Sequence, residues 1–107
     1  MVTVAELDET VRTAHEAGCQ DLILLKCTCT YPATPENTNL RTIPHLRDLF
    51  DVQVGLSDHT MGIGASVASV TLGATVIKKH FTLDGQWRGR FNLFDGIGGN
   101  STACYRI

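Results

Sequence analysis

Three short apolar runs, Leu22–Cys27, Val52–Leu56 and Ala74–Lys79, constrain this chain more than any other feature. Such nearly continuous runs fit strands buried on both faces, as in parallel sheets. Each breaks into polar side chains at its C-terminal end: Cys27-Thr28-Cys29, Ser57-Asp58-His59 and Lys79-His80. Helical segments separate the runs. Thr3 with Glu6 forms a capping box, and Val4, Leu7, Val11 and Ala14 follow at helical spacing, so a helix spans Thr3 to about Ala17. Gly18 suits its stop. A short helix begins near Pro44, a good first-turn residue, and runs to Phe50, with Leu46, Leu49 and Phe50 available for packing. Gly62-Ile63-Gly64 leads into a helix over Ala65–Leu72, which Gly73 ends. Thr28–Asn39 is polar, carries Pro32 and Pro35, and reads as a loop. Strands alternating with helices imply βαβ units, an α/β fold and a parallel sheet. Ligands bind such sheets at the C-terminal strand edge, where the polar residues gather here.

Composition narrows the class of work. The chain has 107 residues, of which 43% are apolar, enough for one small domain with a core. Its net charge is −2 and its nine basic residues are scattered, which is no footprint for nucleic acid. No apolar run approaches a membrane span, and no secretory signal opens the chain, so a cytoplasmic location is expected. The four cysteines are Cys19, Cys27, Cys29 and Cys104. Cys27 and Cys29 form a lone C-x-C, which gives a structural zinc site little support. Reduced thiols are expected, with Cys27 a small core residue. Asn100-Ser101-Thr102 fits the glycosylation pattern but carries little weight without a route out of the cytoplasm.

His59 and His80 fall at the ends of consecutive strands, and neighbouring strands lie about 4.8 Å apart. Two imidazoles there can share one divalent metal and leave most of its shell to water or substrate, which suits a catalytic site. The alternatives are a loop residue at His59 and a satisfied core histidine at His80. Side chains alternate along strands, so Ser57 points with His59, and Val76 and Lys78 point with His80. Cys27, Cys29 and Tyr31 share a face if the extended geometry continues. Ser57 can donate to an anionic oxygen or cap the following helix. Tyr31 is a substrate contact or a loop anchor. Gly62-Ile63-Gly64 can cradle phosphate at a helix N-terminus or form a tight turn, and it lacks the full spacing of a nucleotide-binding signature.

Three ordered motifs carry a family resemblance: Leu24 to Pro32 (LLKCTCTYP), Gly55 to Thr60 (GLSDHT) and Val76 to Asp84 (VIKKHFTLD). Together they resemble the sialic acid synthase family of N-acetylneuraminate, legionaminate and pseudaminate synthases. Thr34 to Asn39 through Met61 to Gly64 is most similar to the pseudaminate branch. The resemblance covers about residues 1–84. It implies a (β/α)8 TIM barrel followed by a small antifreeze-like domain. It also implies condensation of phosphoenolpyruvate with an N-acylated amino sugar, releasing phosphate and giving a nine-carbon 2-keto sugar acid. By the same resemblance, His59 and His80 hold a divalent metal, usually manganese. Ser57 matches a phosphoenolpyruvate contact and Tyr31 a substrate contact.

The departures set further expectations. Lys78 stands where the family has an acid, and it places a cation beside His80, which weakens metal binding and removes an acid–base group. Cys29 replaces a Ser or Asn near the phosphate, and a thiol is a poor donor. The Gly-Gly and Phe-Ser elements expected soon after Asp84 are absent. Residues 85–107 read instead as a divergent, irregular, Gly-rich tail. The expected product is a barrel fragment covering about the last three strands, without the first five and their phosphate-binding basic residue, and with little activity of its own. A non-catalytic metal- or sugar-binding remnant remains an alternative. So does a half-barrel that self-associates into a homo-oligomer to cover its open sheet edges.

Overall fold

The computed structural model describes residues 2–30 and 33–80, together with the backbone of Thr102–Arg106. The chain begins with helix α1, Val4–Glu16. The Thr3–Glu6 capping box forms as expected: Thr3 N–H donates to Glu6 Oε2 at 2.8 Å and Glu6 N–H to Thr3 Oγ1 at 3.3 Å. At the other end Gly18 takes φ +89°, and the Gly18 and Cys19 N–H groups donate to the His15 and Ala14 carbonyls. That pairing satisfies carbonyls the helix leaves open.

Strand β1, Ile23–Cys27, follows. The loop after it holds one 3-10 turn, Pro35–Asn37. Helix α2, Thr42–Phe50, starts two residues before Pro44, so the proline lies within the first turn, where its missing N–H costs nothing. Asp51 closes α2 in the left-handed region at φ 50°. Strand β2 is Gln53–Asp58, helix α3 is Gly64–Thr71, and strand β3 is Val76–His80. Gly73 ends α3 at φ +92°.

The sheet order is β1-β2-β3-β4, where β4 is Thr102–Arg106. β1, β2 and β3 are parallel, in register Leu25 with Gly55, Cys27 with Ser57, and Ser57 with Lys78. β4 runs antiparallel to β3, placing Cys104 opposite Lys78 and Thr102 opposite His80. Two expectations are corrected here. The sheet is mixed rather than purely parallel, and the end of the tail is a strand rather than irregular. The run Thr102–Arg106 is too short to announce itself by period, and its partner strand supplies the ladder. Among the described residues, no helix is long and apolar enough to cross a membrane.

One face of the sheet carries the core. Ile43 from α2, Val54 and Leu56 from β2, and Ala74 are buried together, flanked by Leu24, Leu40, Leu46, Val52 and Ala65. Each large side chain buried there contributes about 1.5–3 kcal/mol. The opposite face of β1 is less covered: Ile23 and Leu25 remain 38% exposed. Cys27 shares that face and is exposed, so it is not the core residue its position in an apolar run suggested. β1 is an edge strand, which a run of apolar residues alone does not reveal.

Gly55 is forced by packing. A Cβ there would stand 2.2 Å from the Val76 carbonyl oxygen and 2.8 Å from Leu25 Cδ2. Gly64, at the start of α3, has nothing within 4 Å of such a Cβ. In urea denaturation, Gly55→Ala is expected to cost about 1–3 kcal/mol or more through overpacking. Gly64→Ala should be neutral or stabilising by about 0.5–1 kcal/mol. Equal midpoints for the two variants would contradict this packing.

Candidate metal and substrate site

Strand register builds the site. Ser57 lies beside Lys78 across β2 and β3, and the next outward row on the same face carries His59 and His80. The two imidazole rings are 5.5 Å apart between centroids and inclined at 36°. Ser57 and His59 are buried, and His80 is half-buried.

Hydrogen bonding selects the ring states. His59 Nδ1 lies 3.3 Å from the Thr28 carbonyl oxygen, which can only accept, so Nδ1 carries the proton. His59 Nε2 is then a lone pair, and Ser57 Oγ lies 3.3 Å from it in a donating position. Lys78 Nζ lies 3.3 Å from His80 Nε2. An ammonium can only donate, so this nitrogen too presents a lone pair. Both His59 and His80 are shifted below the ordinary histidine pKa. Burial is the main cause for each, followed by the Lys78 charge. For His59 the His80 ring adds to the depression, while the Thr28 carbonyl and Asp58 oppose it.

Neutral imidazoles with lone pairs on one face are the form that binds a metal. The donor set therefore fits a divalent ion at two positions. Lys78 works against it, since its ammonium engages His80 Nε2 and repels a second cation. Among the described residues, no group of three His, Cys, Asp or Glu side chains converges to complete a protein cage. Water or substrate oxygens would fill the remaining positions.

Cys29 follows Thr28, whose carbonyl meets His59, but its own side chain is exposed. Tyr31 lies outside the described residues. Gly62 takes φ +81°, a conformation glycine adopts readily, and Met61 and Ile63 on either side of it are exposed.

Asp58 and Lys79 alternate onto the other face, and sequence alone assigns them no role. Asp58 is fully buried. Its Oδ1 accepts from Thr60 N–H at 2.8 Å and Thr60 Oγ1 at 2.7 Å. Its Oδ2 accepts from Ser66 Oγ at 2.5 Å and from Lys79 Nζ at 2.7 Å. Lys79 Nζ also donates to the Thr60 carbonyl at 2.9 Å. Burial pushes the Asp58 carboxyl up, but the bonds from Lys79, Ser66 and Thr60 outweigh it and hold the pKa below the usual aspartate value. Each charge immediately precedes a histidine in sequence, and the pairing itself shows in the register of β2 and β3.

These shifts fix the sign of pH dependence. As pH falls below about 6.5, unfolded histidines bind protons that folded His59 and His80 resist. The unfolded state then binds more protons, so stability present above that pH is lost on acidification. Asp58 adds a second loss only below the ordinary aspartate range. Urea midpoints should fall as pH drops below about 6.5, and Lys78→Met should flatten that slope by removing one cause of the depression. An unchanged slope in the variant would contradict this assignment.

Comparisons with known proteins place the chain in a family. Residues 1–94 match the NeuB family. The chain is 44% identical over 91 residues to the N,N'-diacetyllegionaminic acid synthase of Campylobacter jejuni, covering 83% of this chain and 27% of that protein. It is 48% identical over 84 residues to the pseudaminic acid synthase of the same organism, covering 78% and 24%. The structure of the spore coat polysaccharide biosynthesis protein spsE from Bacillus subtilis superposes with a TM-score of 0.77 at 34% identity, covering 83% of this chain and 25% of that one. The chain thus spans about a quarter of the length of the relatives it matches. With that family match over most of its length, the chain belongs to the NeuB family.

Proposed function

We propose that this chain carries the metal- and phosphoenolpyruvate-binding end of a sialic-acid-synthase-type (β/α)8 barrel, covering about its last three strands. The parent reaction is condensation of phosphoenolpyruvate with an N-acylated amino sugar, giving a nine-carbon 2-keto sugar acid and phosphate. One observation carries the reading: His59 and His80 stand 5.5 Å apart on one face at the C-terminal ends of parallel strands, beside Ser57. The names of the relatives, synthases of legionaminic and pseudaminic acids, support the substrate class.

His59 and His80 are the residues that would hold the ion, with manganese the expected metal. When bound, it supplies Lewis-acid polarisation of the sugar aldehyde. Thr28 fixes the His59 tautomer so that Nε2 faces the site. Ser57 can swing its proton from His59 to an anionic oxygen of phosphoenolpyruvate. Tyr31 is assigned a substrate contact and Cys29 a weak one near the phosphate. Lys78 sits in the same row as Ser57 and weakens both metal binding and acid–base chemistry. With that cation in place and three parallel strands among the described residues to enclose a substrate, the isolated chain should turn over little or not at all.

The exposed Ile23 and Leu25 on edge strand β1 favour a second reading, a half-barrel that associates with itself. Sedimentation velocity separates the two, since a concentration-independent monomer opposes association.

Isothermal titration of the purified chain should show manganese binding that His59→Ala and His80→Ala each abolish. Lys78→Met should tighten it. Phosphate release with both substrates and manganese should stay near background. Manganese binding unaffected by either histidine substitution would overturn the site assignment, and clear turnover would overturn the prediction of inactivity.

A further inference from the structure

We infer that Asp58 and Lys79 form a latch that holds His59 and His80 in facing positions, and that both are positioning residues. The inference rests on the reading of the two histidines as metal ligands.

Each latch residue immediately precedes one of the histidines in sequence. Asp58 and Lys79 are also register partners on β2 and β3. Alternation sends their side chains to the helix-covered face while the histidines take the other. A bond between Asp58 and Lys79 therefore fixes the backbone of both strands one residue before each imidazole. That bond is 2.7 Å long, and its carboxylate is fully buried.

The latch has further anchors. Lys79 Nζ reaches past Asp58 to the Thr60 carbonyl at 2.9 Å, so it clasps β2 on both sides of His59. Asp58 also ties the Thr60 hydroxyl and N–H, which sets the chain's direction as it leaves the strand. Ser66 brings the first turn of α3 onto the same carboxylate. Thr60 itself forms a parallel bridge with Ala33, whose N–H donates to the His59 carbonyl at 3.2 Å. His59 is thus held by its side chain from Thr28, by its carbonyl from Ala33, and by both neighbours from Lys79. For His80, Lys79 is the bond that ties its strand end to β2 on the face opposite the imidazoles.

The register of two parallel strand ends is otherwise set by a few ladder bonds. Losing the clasp should let the last residue of β3 move relative to His59. Outer partners hydrogen-bonded to metal ligands typically change metal affinity about 10- to 100-fold, and a clasp one residue from each ligand is expected to act in the same direction.

The test uses the full chain with Lys79→Met, Lys79→Arg and Asp58→Asn. Two readouts apply to each: manganese affinity, and the nuclear Overhauser contact between the His59 and His80 rings in metal-free buffer. Lys79→Met should fold, lose or weaken the ring contact, and bind manganese about 10- to 100-fold more weakly. Lys79→Arg keeps a donor cation and should retain both. Asp58→Asn keeps the volume but removes the charge that holds Lys79, so it gives the same reading if Lys79→Met does not fold. A folded Lys79→Met or Asp58→Asn with the parent's ring contact overturns the positioning role. If the parent shows the ring contact but binds no manganese, and the variants lose that contact, the latch stands and the metal reading fails instead.

Discussion

A buried carboxylate dictates what surrounds it. Asp58 is fully removed from solvent, so its charge must be met by protein groups. Four bonds meet it: two from Thr60, one from Ser66 and one from Lys79. These draw the end of β2, the start of α3 and the end of β3 to one point. Removing the cation alone would leave the carboxylate unpaired at a cost on the order of 3–5 kcal/mol. The arrangement of the strand ends depends on this cluster more than on the apolar core, which lies lower in the sheet around Ile43, Val54 and Leu56.

Strand alternation divides the labour. Along Ser57-Asp58-His59 and Lys78-Lys79-His80, odd steps face the site and even steps face the helices. Two adjacent strand ends thus present a hydroxyl, two imidazoles and the Lys78 ammonium on one side while the Asp58–Lys79 ion pair fastens them from the other. Gly55 belongs to the same scheme. It leaves room for the Leu25 side chain and the Val76 carbonyl, so β2 can sit close between its neighbours.

Much of this was legible in the sequence. The capping box at Thr3, the stops at Gly18 and Gly73, and the three apolar runs placed the helices and parallel strands within about two residues. Alternation pairs Ser57 with His59 and Lys78 with His80, and the register of β2 and β3 brings the two pairs onto one face. Three things were not legible, each for a physical reason. Cys27 looked like core because a run of apolar residues does not say which strand is an edge. Thr102–Arg106 looked irregular because a five-residue strand takes its stability from the partner it pairs with. Asp58 and Lys79 went without a role because their pairing is visible only once register is known.

The central claim is that the clasped ends of β2 and β3 present His59 and His80 as one metal-binding pair in a NeuB-family chain. The most direct measurement is a crystal structure of the full chain soaked in manganese, with anomalous scattering collected near the manganese absorption edge. The account predicts one strong peak within bonding distance of both His59 Nε2 and His80 Nε2, with Asp58 and Lys79 still paired behind them. A map with no peak between the two imidazoles, or with manganese held elsewhere, would contradict it.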